Sequence, residues 1–399
     1  MKIAVYTLTS ELHNEQVIER QTEEFLNELG LDFDFRGADY SDYGTHLVDL
    51  IFVRTGGTEG IFKRLLPQLD VRRHRYIYLL ASGKNNSLPA AMEILSYLSN
   101  QNLHGEILHS ASSYVADRIG QIACAAERRQ MFANGRLGLV GEPSDWLIAS
   151  HVDEKYVTND LGIELVKIPM SELLAEYERT PETPCDFSSG MPNVQAAIPG
   201  ANRIYLALKS LVEKYNLQGF TIRCFDLLEK VHNTGCLALA RLNAEGVVAG
   251  CEGDVPAMLS MWVARVLFGT SGFQSNPASV NPQDGSVCLA HCTIPFDMLK
   301  NYELDTHFES GIGVAVRGNV AEGQVTVFKM SGAGREYFAA EGQLVANGND
   351  AGLCRTQLKI KLTQNDDANY FLTHPIGNHH VLIPGHHKAE LEAFMRTVC

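Results

Sequence analysis

The stretch Val247-Val248-Ala249-Gly250-Cys251-Glu252-Gly253-Asp254-Val255-Pro256-Ala257 joins a short apolar run, two acidic residues and the beginning of a helical pattern. The apolar residues after the acids recur at helical spacing, and they include Ala257, Met258, Met261, Trp262 and Leu267. Glu252 and Asp254 are therefore expected where a buried strand leads into a helix. Ligands collect at the carboxyl ends of strands in open α/β sheets, and helix amino termini favour negative charge. This stretch predicts an α/β fold with a polar site at the sheet edge.

Beyond this stretch, the pattern of predicted strands and helices divides the chain into three parts. A chain of 399 residues is expected to form two or three domains. Residues 1–135 alternate strand and helix patterns, which predicts a doubly wound α/β domain ending at the turn signal Asn134-Gly135. Residues 136–271 repeat this alternation and predict a second doubly wound α/β domain, which carries Cys251–Asp254.

Residues 272–399 alternate polar and apolar positions between Gly and Asn turns, which predicts a β-rich, barrel-like domain. A short helix over His387–Val398 is expected to close the chain. The predicted strands of this third domain are Val287–Ala290, Gly313–Arg317, Gln324–Lys329, Gln343–Ala346, Gln357–Lys361 and His380–Ile383.

The composition narrows the class of protein. Hydrophobic residues make up 45% and charged residues 20%, as in an ordinary globular protein, and the net charge of −14 argues against non-specific nucleic-acid binding. No apolar stretch is long enough to span a membrane, and the first residues predict a strand, not a signal peptide. The nine cysteines are scattered, without a CxxC pair. We therefore expect a cytoplasmic protein without membrane or nucleic-acid partners, disulfide framework or zinc ribbon.

Three chemistry-bearing residues lie at the edges of apolar runs: Glu252, His291 and His379. A carboxylate with two imidazoles suits a divalent metal, and the amide of Asn276 could add an oxygen ligand. Their spacing in the sequence alone does not show that these residues lie close together in the folded protein. The alternative interpretation has Glu252 capping a helix, Asn276 forming an Asx turn before Pro277, and the histidines satisfied in the core.

Five segments occur in an order and at intervals that match a known pattern: Arg136–Leu147, Cys251-Glu252-Gly253-Asp254, Phe273-Gln274-Ser275-Asn276, Leu289-Ala290-His291 and Gly377-Asn378-His379. This succession resembles the L-fucose/L-arabinose isomerase superfamily, and fucose isomerase-like proteins within it. Residues 1–130 are similar to that group only in architecture.

The resemblance implies a metal-dependent aldose–ketose isomerase, an intramolecular oxidoreductase of carbohydrate metabolism that works through an enediol. It implies manganese as the divalent ion, a small-molecule sugar as the substrate and a homo-oligomer, either trimer or hexamer. Glu252 would be both metal ligand and catalytic acid/base. His291 and His379 would be further metal ligands, with His380 as an adjacent alternative to His379. The second acidic position of the family falls on Asn276.

Asn276 departs from the family pattern because an amide is uncharged and cannot carry a proton. Three alternatives follow. Another acid could take the second catalytic role, with Asp254 and Asp226 as the leading candidates and Glu229 behind them. The chemistry could instead have moved to epimerisation or to isomerisation with a single base. Lastly, the protein could bind or sense a sugar without converting it.

Three aromatic or imidazole side chains are candidates for substrate binding: Trp146, His307 and His380. The alternative for His307 is a surface or capping role, and Trp146 could simply lie at the start of a helix. Lys329 and Arg317 are expected on solvated strand faces, although either could neutralise an anionic substrate group.

Overall fold

Parallel strands alternating with helices form the first of two units, Met1–Gln130 and Met131–Cys399, in the computed structural model. The structure describes residues 3–69, 76–333, 336–365 and 367–398. Among them, no helix combines the length and apolar character needed to cross a membrane.

The first unit is a parallel sheet covered by helices on both faces. Its elements are β1 (Ile3–Leu8), α1 (Glu15–Leu29), β2 (Phe33–Gly37), β3 (Val48–Val53), α2 (Glu59–Leu65), β4 (Tyr76–Ala81), α3 (Ser87–Asn100), β5 (His104–Leu108) and α4 (Ser112–Ala133). The strand order is β2-β1-β3-β4-β5. Helices α2 and α3 pack on one face and α1 and α4 on the other. Every residue of β3 is buried, as expected for a central strand covered on both sides.

The second unit begins with another parallel sheet, in the order β7-β6-β8-β9. Its elements are β6 (Arg136–Val140), β7 (Glu164–Ile168), α5 (Met170–Arg179), α6 (Pro192–Tyr215), β8 (Gly219–Ile222), α7 (Asp226–Val231), α8 (Cys236–Ala244), β9 (Val248–Cys251) and α9 (Val255–Phe268). Helices α5, α6 and α8 share a core with one face of the sheet. Helix α9 packs on the other face.

The remainder of the second unit is a closed barrel with strand order β10-β11-β16-β15-β14-β17. Strands β12 and β13 form a separate antiparallel pair. The elements are β10 (Phe273–Asn281), β11 (Ser286–His291), β12 (Leu299–Asp305), β13 (Ala315–Val320), β14 (Gly323–Met330), β15 (Tyr337–Asn347), β16 (Thr356–Leu362), α10 (Asp367–Thr373), β17 (His380–Pro384) and α11 (Lys388–Val398). The predicted fold class, parallel α/β sheets followed by a β-barrel, is confirmed.

Helix α9 joins the sheet to the barrel. Its side chains share one core with Leu137 and Val248 of the sheet and with Phe328 and Val381 of the barrel. Nearly all of α9 is buried because it is enclosed from both sides. The boundary predicted after residue 271 therefore crosses a continuous core, and the division of residues 136–399 into two domains remains a prediction.

Gln274 forms a second link between the barrel and the sheet. This buried side chain of β10 accepts a hydrogen bond from the Cys251 backbone N–H at 2.8 Å and donates one to the Cys251 carbonyl at 3.2 Å. One amide thus contacts both backbone groups of Cys251, whose carbonyl also accepts from Thr221 Oγ1 and from the Asp254 N–H. The link fixes the residue that immediately precedes Glu252.

Replacing Gln274 by Leu should lower the free energy of unfolding by about 1–3 kcal/mol, because the buried Cys251 N–H loses the acceptor that Gln274 provides. Urea denaturation of the purified protein measures this change. Gln343→Leu is the matched control, since Gln343 is exposed on the barrel strand β15. Equal unfolding midpoints for the two variants would show that the link contributes nothing.

Candidate metal centre

Glu252 and Gly253 form the turn between β9 and α9, and both have a left-handed backbone, with φ of 64° and 68°. Only glycine fits at position 253, because a Cβ there would lie 2.7 Å from the Glu142 carbonyl oxygen and 2.8 Å from the Pro143 Cα. A glutamate in this conformation is uncommon and costs on the order of 1–3 kcal/mol. Such strain at one acidic residue, held by the surrounding structure, is typical of a functional site.

Hydrogen bonds fix this turn on both sides. The Gly253 N–H donates to the Ile222 carbonyl at 2.9 Å, and the Glu252 carbonyl accepts from the Ser144 N–H at 3.0 Å. Asp254 then caps α9, since its Oδ1 accepts from the Ala257 N–H at 2.8 Å. The predicted change from strand to helix at these acids is confirmed.

The Glu252 carboxylate lies next to two histidines that are distant in the sequence. Its Oε1 is 3.3 Å from His379 Nε2 and 3.7 Å from His291 Nε2. One ligand atom from each of the three residues falls within 4.8 Å of the other two, and all three residues are buried. Trp146 Nε1 donates to the other carboxylate oxygen, Oε2, at 2.7 Å. The carboxyl group is therefore fixed by a hydrogen bond at Oε2, while Oε1 faces the two imidazoles.

Each histidine is oriented by a contact at its other ring nitrogen. His379 Nδ1 lies 2.8 Å from Asp254 Oδ2, and neither residue has any exposed surface. His291 Nδ1 lies 3.0 Å from Thr293 Oγ1. Both contacts leave the Nε2 atoms facing Glu252, which is how histidine ligands are commonly held in metal sites.

Lys329 lies beneath the cluster, fully buried, with its Nζ 4.0 Å from Asp254 Oδ2 and no hydrogen-bond partner among the described residues. The expectation of a solvated strand face is therefore wrong for Lys329. Strand β14 is covered on both faces, by the barrel interior and by α9. A buried ammonium next to a carboxylate balances its charge.

These charges shift each other's pKa values. Burial alone would raise the pKa of Glu252, but the charge of His379 and contacts from both histidines outweigh burial and hold it well below its usual range. Burial would lower the pKa of His379, yet Glu252 and Asp254 raise it to about 9. Burial would raise the pKa of Asp254, but Lys329 and His379 lower it. The protonated His379 imidazole thus lies between two carboxylates.

Two buried polar atoms favour a metal at this position. Within the described part of the chain, His379 Nε2 and Asn276 Oδ1 make no hydrogen bond, although buried polar atoms are nearly always paired. Asn276 lies in β10, opposite Ala290 of β11 and next to Ser275, which pairs with His380 of β17. Carboxylate, imidazole and amide groups are suitable ligands for a divalent cation. The residues present therefore fit such an ion.

Aromatic side chains lie beside the carboxylate. The half-exposed Trp146 ring packs against the Phe225 ring, with 4.8 Å between the ring centroids. The Phe225 ring in turn packs against the His307 ring, with 5.5 Å between centroids. Burial, followed by the charge of His291, lowers the pKa of His307 to about 4, so its imidazole is neutral near pH 7. Phe225 was not among the sequence candidates, although it directly precedes the predicted site residue Asp226.

Two other predicted site residues have different surroundings. Asp226 Oδ1 lies 3.1 Å from Arg223 Nε in a partly exposed ion pair. His380 is buried, and its two ring nitrogens lie 2.9 Å from the Asn378 carbonyl oxygen and 3.1 Å from the Tyr370 hydroxyl. Of the two adjacent histidines, His379 is the one that faces Glu252.

Comparison with known proteins gives relatives of one kind. No family model matches the chain. It is 23% identical over 260 residues to the sulfoquinovose isomerase of Priestia megaterium (strain ATCC 12872 / QMB1551), which covers 60% of this chain and 57% of the relative. It is 20% identical over 235 residues to that of Alkalicoccus urumqiensis, covering 54% and 52%. The chain thus spans about half the length of the curated relatives it matches. The similarity supports a sugar isomerase family and does not single out fucose isomerase.

Replacing Asp254 by Asn should weaken Mn²⁺ binding roughly 10- to 100-fold, because residues that orient a ligand histidine contribute that much to metal affinity. Asparagine can still cap α9 but cannot balance the charge of the buried Lys329, so circular dichroism and the unfolding midpoint of the variant are measured first. Calorimetric titration with Mn²⁺ measures the affinity, and Asp226→Asn is the control because Asp226 pairs with Arg223. Equal affinities for the two variants would contradict a role for Asp254 in holding His379.

Mn²⁺ binding near neutral pH should release about one proton, because the pKa of His379 is raised to about 9 and a ligand imidazole must be neutral. The proton competes with the metal below that pKa. Affinity should therefore rise with pH and level off above about 9. Titrations in buffers with different ionisation enthalpies count the protons released, and a binding heat that does not depend on the buffer would contradict the prediction.

Proposed function

We propose that this chain is a metal-dependent sugar isomerase that interconverts an aldose and a ketose at the Glu252 cluster. The observation that carries the proposal is the convergence of Glu252, His291 and His379 within 4.8 Å, with the buried His379 Nε2 lacking a hydrogen-bond partner among the described residues. The similarity to sulfoquinovose isomerases supports the same reaction class.

Glu252, His291 and His379 would hold the ion, with the Asn276 amide oxygen as a further ligand. Manganese is the ion we propose. A divalent cation, when bound, polarises a carbonyl and stabilises the negative charge that develops on the sugar oxygens as the proton leaves carbon. Asn276 supplies an oxygen without a charge, so the site has one negative charge fewer than a site with two carboxylates.

Proton transfer between the two sugar carbons would fall to Glu252 alone. Asn276 cannot carry a proton, and Asp254 has no exposed surface and is occupied by α9 and His379. Asp226 is paired with Arg223. A single carboxylate that takes the proton from one carbon and returns it to the next is therefore the simplest mechanism for these residues. The Trp146 N–H would keep the carboxylate oriented during the transfer.

The sugar would lie against Trp146, Phe225 and His307. Aromatic faces suit the apolar faces of sugars, and the neutral His307 imidazole can both donate and accept hydrogen bonds. The relatives carry the name sulfoquinovose isomerase, so we include this sulfonated sugar among the proposed substrates. We also propose a homo-oligomer, either trimer or hexamer, as the resemblance implies.

A second candidate function is sugar binding without turnover. The amide at Asn276 favours it, because a site that has lost a proton-carrying carboxylate can still hold a metal and a polyol. The two functions differ in one measurable event, which is exchange of a carbon-bound sugar proton with solvent.

Wild-type protein with Mn²⁺ in D₂O should incorporate deuterium at C1 or C2 of its substrate, and Glu252→Gln should slow this roughly 10²- to 10⁴-fold, the usual contribution of a general base. Proton NMR on a panel of aldoses and ketoses, including sulfoquinovose, fucose and arabinose, measures exchange and identifies the product. Glu213→Gln is the matched control because Glu213 is exposed on α6 and is not among the candidate catalytic acids.

The outcomes separate the alternatives. Exchange at the wild-type rate in Glu252→Gln would contradict the assigned role of Glu252. A product that differs from the substrate only in configuration would indicate an epimerase. Calorimetric sugar binding without any exchange would favour the binding function over the isomerase.

A further inference from the structure

Two buried thiols lie together at the carboxyl edge of the sheet in the second unit. The Sγ atoms of Cys224 and Cys251 are 2.9 Å apart. Cys251 ends β9 opposite Ile222 of β8, and Cys224 follows two residues after Ile222. The separation exceeds a disulfide bond of about 2.05 Å by only about 0.9 Å. The two side chains therefore already point at each other from neighbouring strands.

This pair is connected directly to the candidate metal centre. Cys251 is joined by a peptide bond to Glu252, whose carboxyl faces His379 and His291. The turn that follows is fixed by the bond from Gly253 to Ile222, and Gln274 holds both backbone groups of Cys251. With so many restraints, a movement at Cys251 is transmitted to Glu252 instead of being absorbed by a flexible segment.

We propose that Cys224 and Cys251 form a redox-modification site, a dithiol that a small peroxide converts to a disulfide, with the result that the metal affinity at Glu252 falls. The consequence for the metal rests on the proposed metal site, whereas the disulfide does not. The ligand class is a small hydroperoxide, since the two residues are 8% and 3% exposed and admit only a small oxidant.

The reaction balances with hydrogen peroxide as the oxidant. The sulfur of Cys224, the more exposed residue, attacks one peroxide oxygen, the O–O bond breaks, and water leaves as a sulfenic acid forms. The sulfur of Cys251 then attacks that of Cys224, the S–S bond forms, and a second water leaves. Two thiols lose two hydrogens and two electrons, and the peroxide is reduced to two molecules of water.

The size of the movement decides whether the metal is affected. Closing the bond brings the sulfurs about 0.9 Å closer, whereas ligand distances in a metal site tolerate only about 0.2 Å. If the side chains absorb half of the approach, about 0.45 Å remains for the two backbones, and Cys251 needs to take only about half of that to reach the tolerance. Glu252 also has a left-handed backbone, which restricts how it can readjust.

The test uses the metal-free chain of residues 1–399 treated with increasing hydrogen peroxide, followed by alkylation of free thiols and proteolysis without reductant. Mass spectrometry should find a peptide that links Cys224 to Cys251 and disappears with dithiothreitol. The Mn²⁺ affinity of the oxidised protein, measured from free Mn²⁺ by electron paramagnetic resonance, should fall roughly tenfold or more and recover on reduction. Cys224→Ala should bind Mn²⁺ normally and be insensitive to peroxide, and Cys185→Ala should behave as wild type.

Each outcome of this experiment tests a separate part of the proposal. If no such linked peptide forms at peroxide concentrations that preserve the circular dichroism spectrum, the modification site is refuted, even if Cys224→Ala fails to fold. A linked peptide with unchanged Mn²⁺ affinity refutes the effect on the metal. If reduced wild type binds no Mn²⁺, the proposed metal site fails, while the peptide map still decides the disulfide. Crosslinks of Cys236 or Cys292, which pack together in a neighbouring core, would contradict the assigned pair.

Discussion

The hydrogen bond between Asp254 and His379 is the constraint on which the site and the surrounding fold both depend. It connects residues 125 positions apart, and neither has any exposed surface. Asp254 uses one oxygen to begin α9 and the other to orient His379, with Lys329 nearby. A buried carboxylate without such partners would be strongly unfavourable. The sheet-to-helix turn and the first residue before β17 are therefore stabilised by the same charged group that positions a candidate ligand.

Much of the fold could be predicted because its periodic signals are local. The strand ending at Cys251 and the helix starting at Val255 are present as the sequence indicates. Strand β10 has no counterpart among the predicted strands, because Pro277 suggests a turn and cannot donate to a ladder. In the structure Pro277 pairs with Leu289, and a shift of register before Ser279 accommodates it. Strand β12 also escaped prediction, since most of its residues are exposed and show little apolar alternation.

The site was predictable only in part, and for a different reason. Glu252, His291 and His379 were brought together by resemblance, because no local spacing connects three separate elements. The choice between His379 and His380 depends on strand register, since adjacent residues face opposite sides of a strand. Lys329 and Gln274 carry no sequence signal for their roles. A lysine in an alternating strand suggests solvent, and only the packing of α9 on the barrel shows that β14 is enclosed on both sides.

The backbone at Glu252 has an evolutionary consequence. Glycine and asparagine adopt positive φ more readily than glutamate does, so either would relieve strain at this turn. Selection for stability alone would then favour replacement of Glu252 by one of these residues. If the chemistry were no longer needed, the chain would evolve towards a more stable protein without activity. Persistence of glutamate here would be a sign that the chain is still selected for what it does, over and above how well it folds.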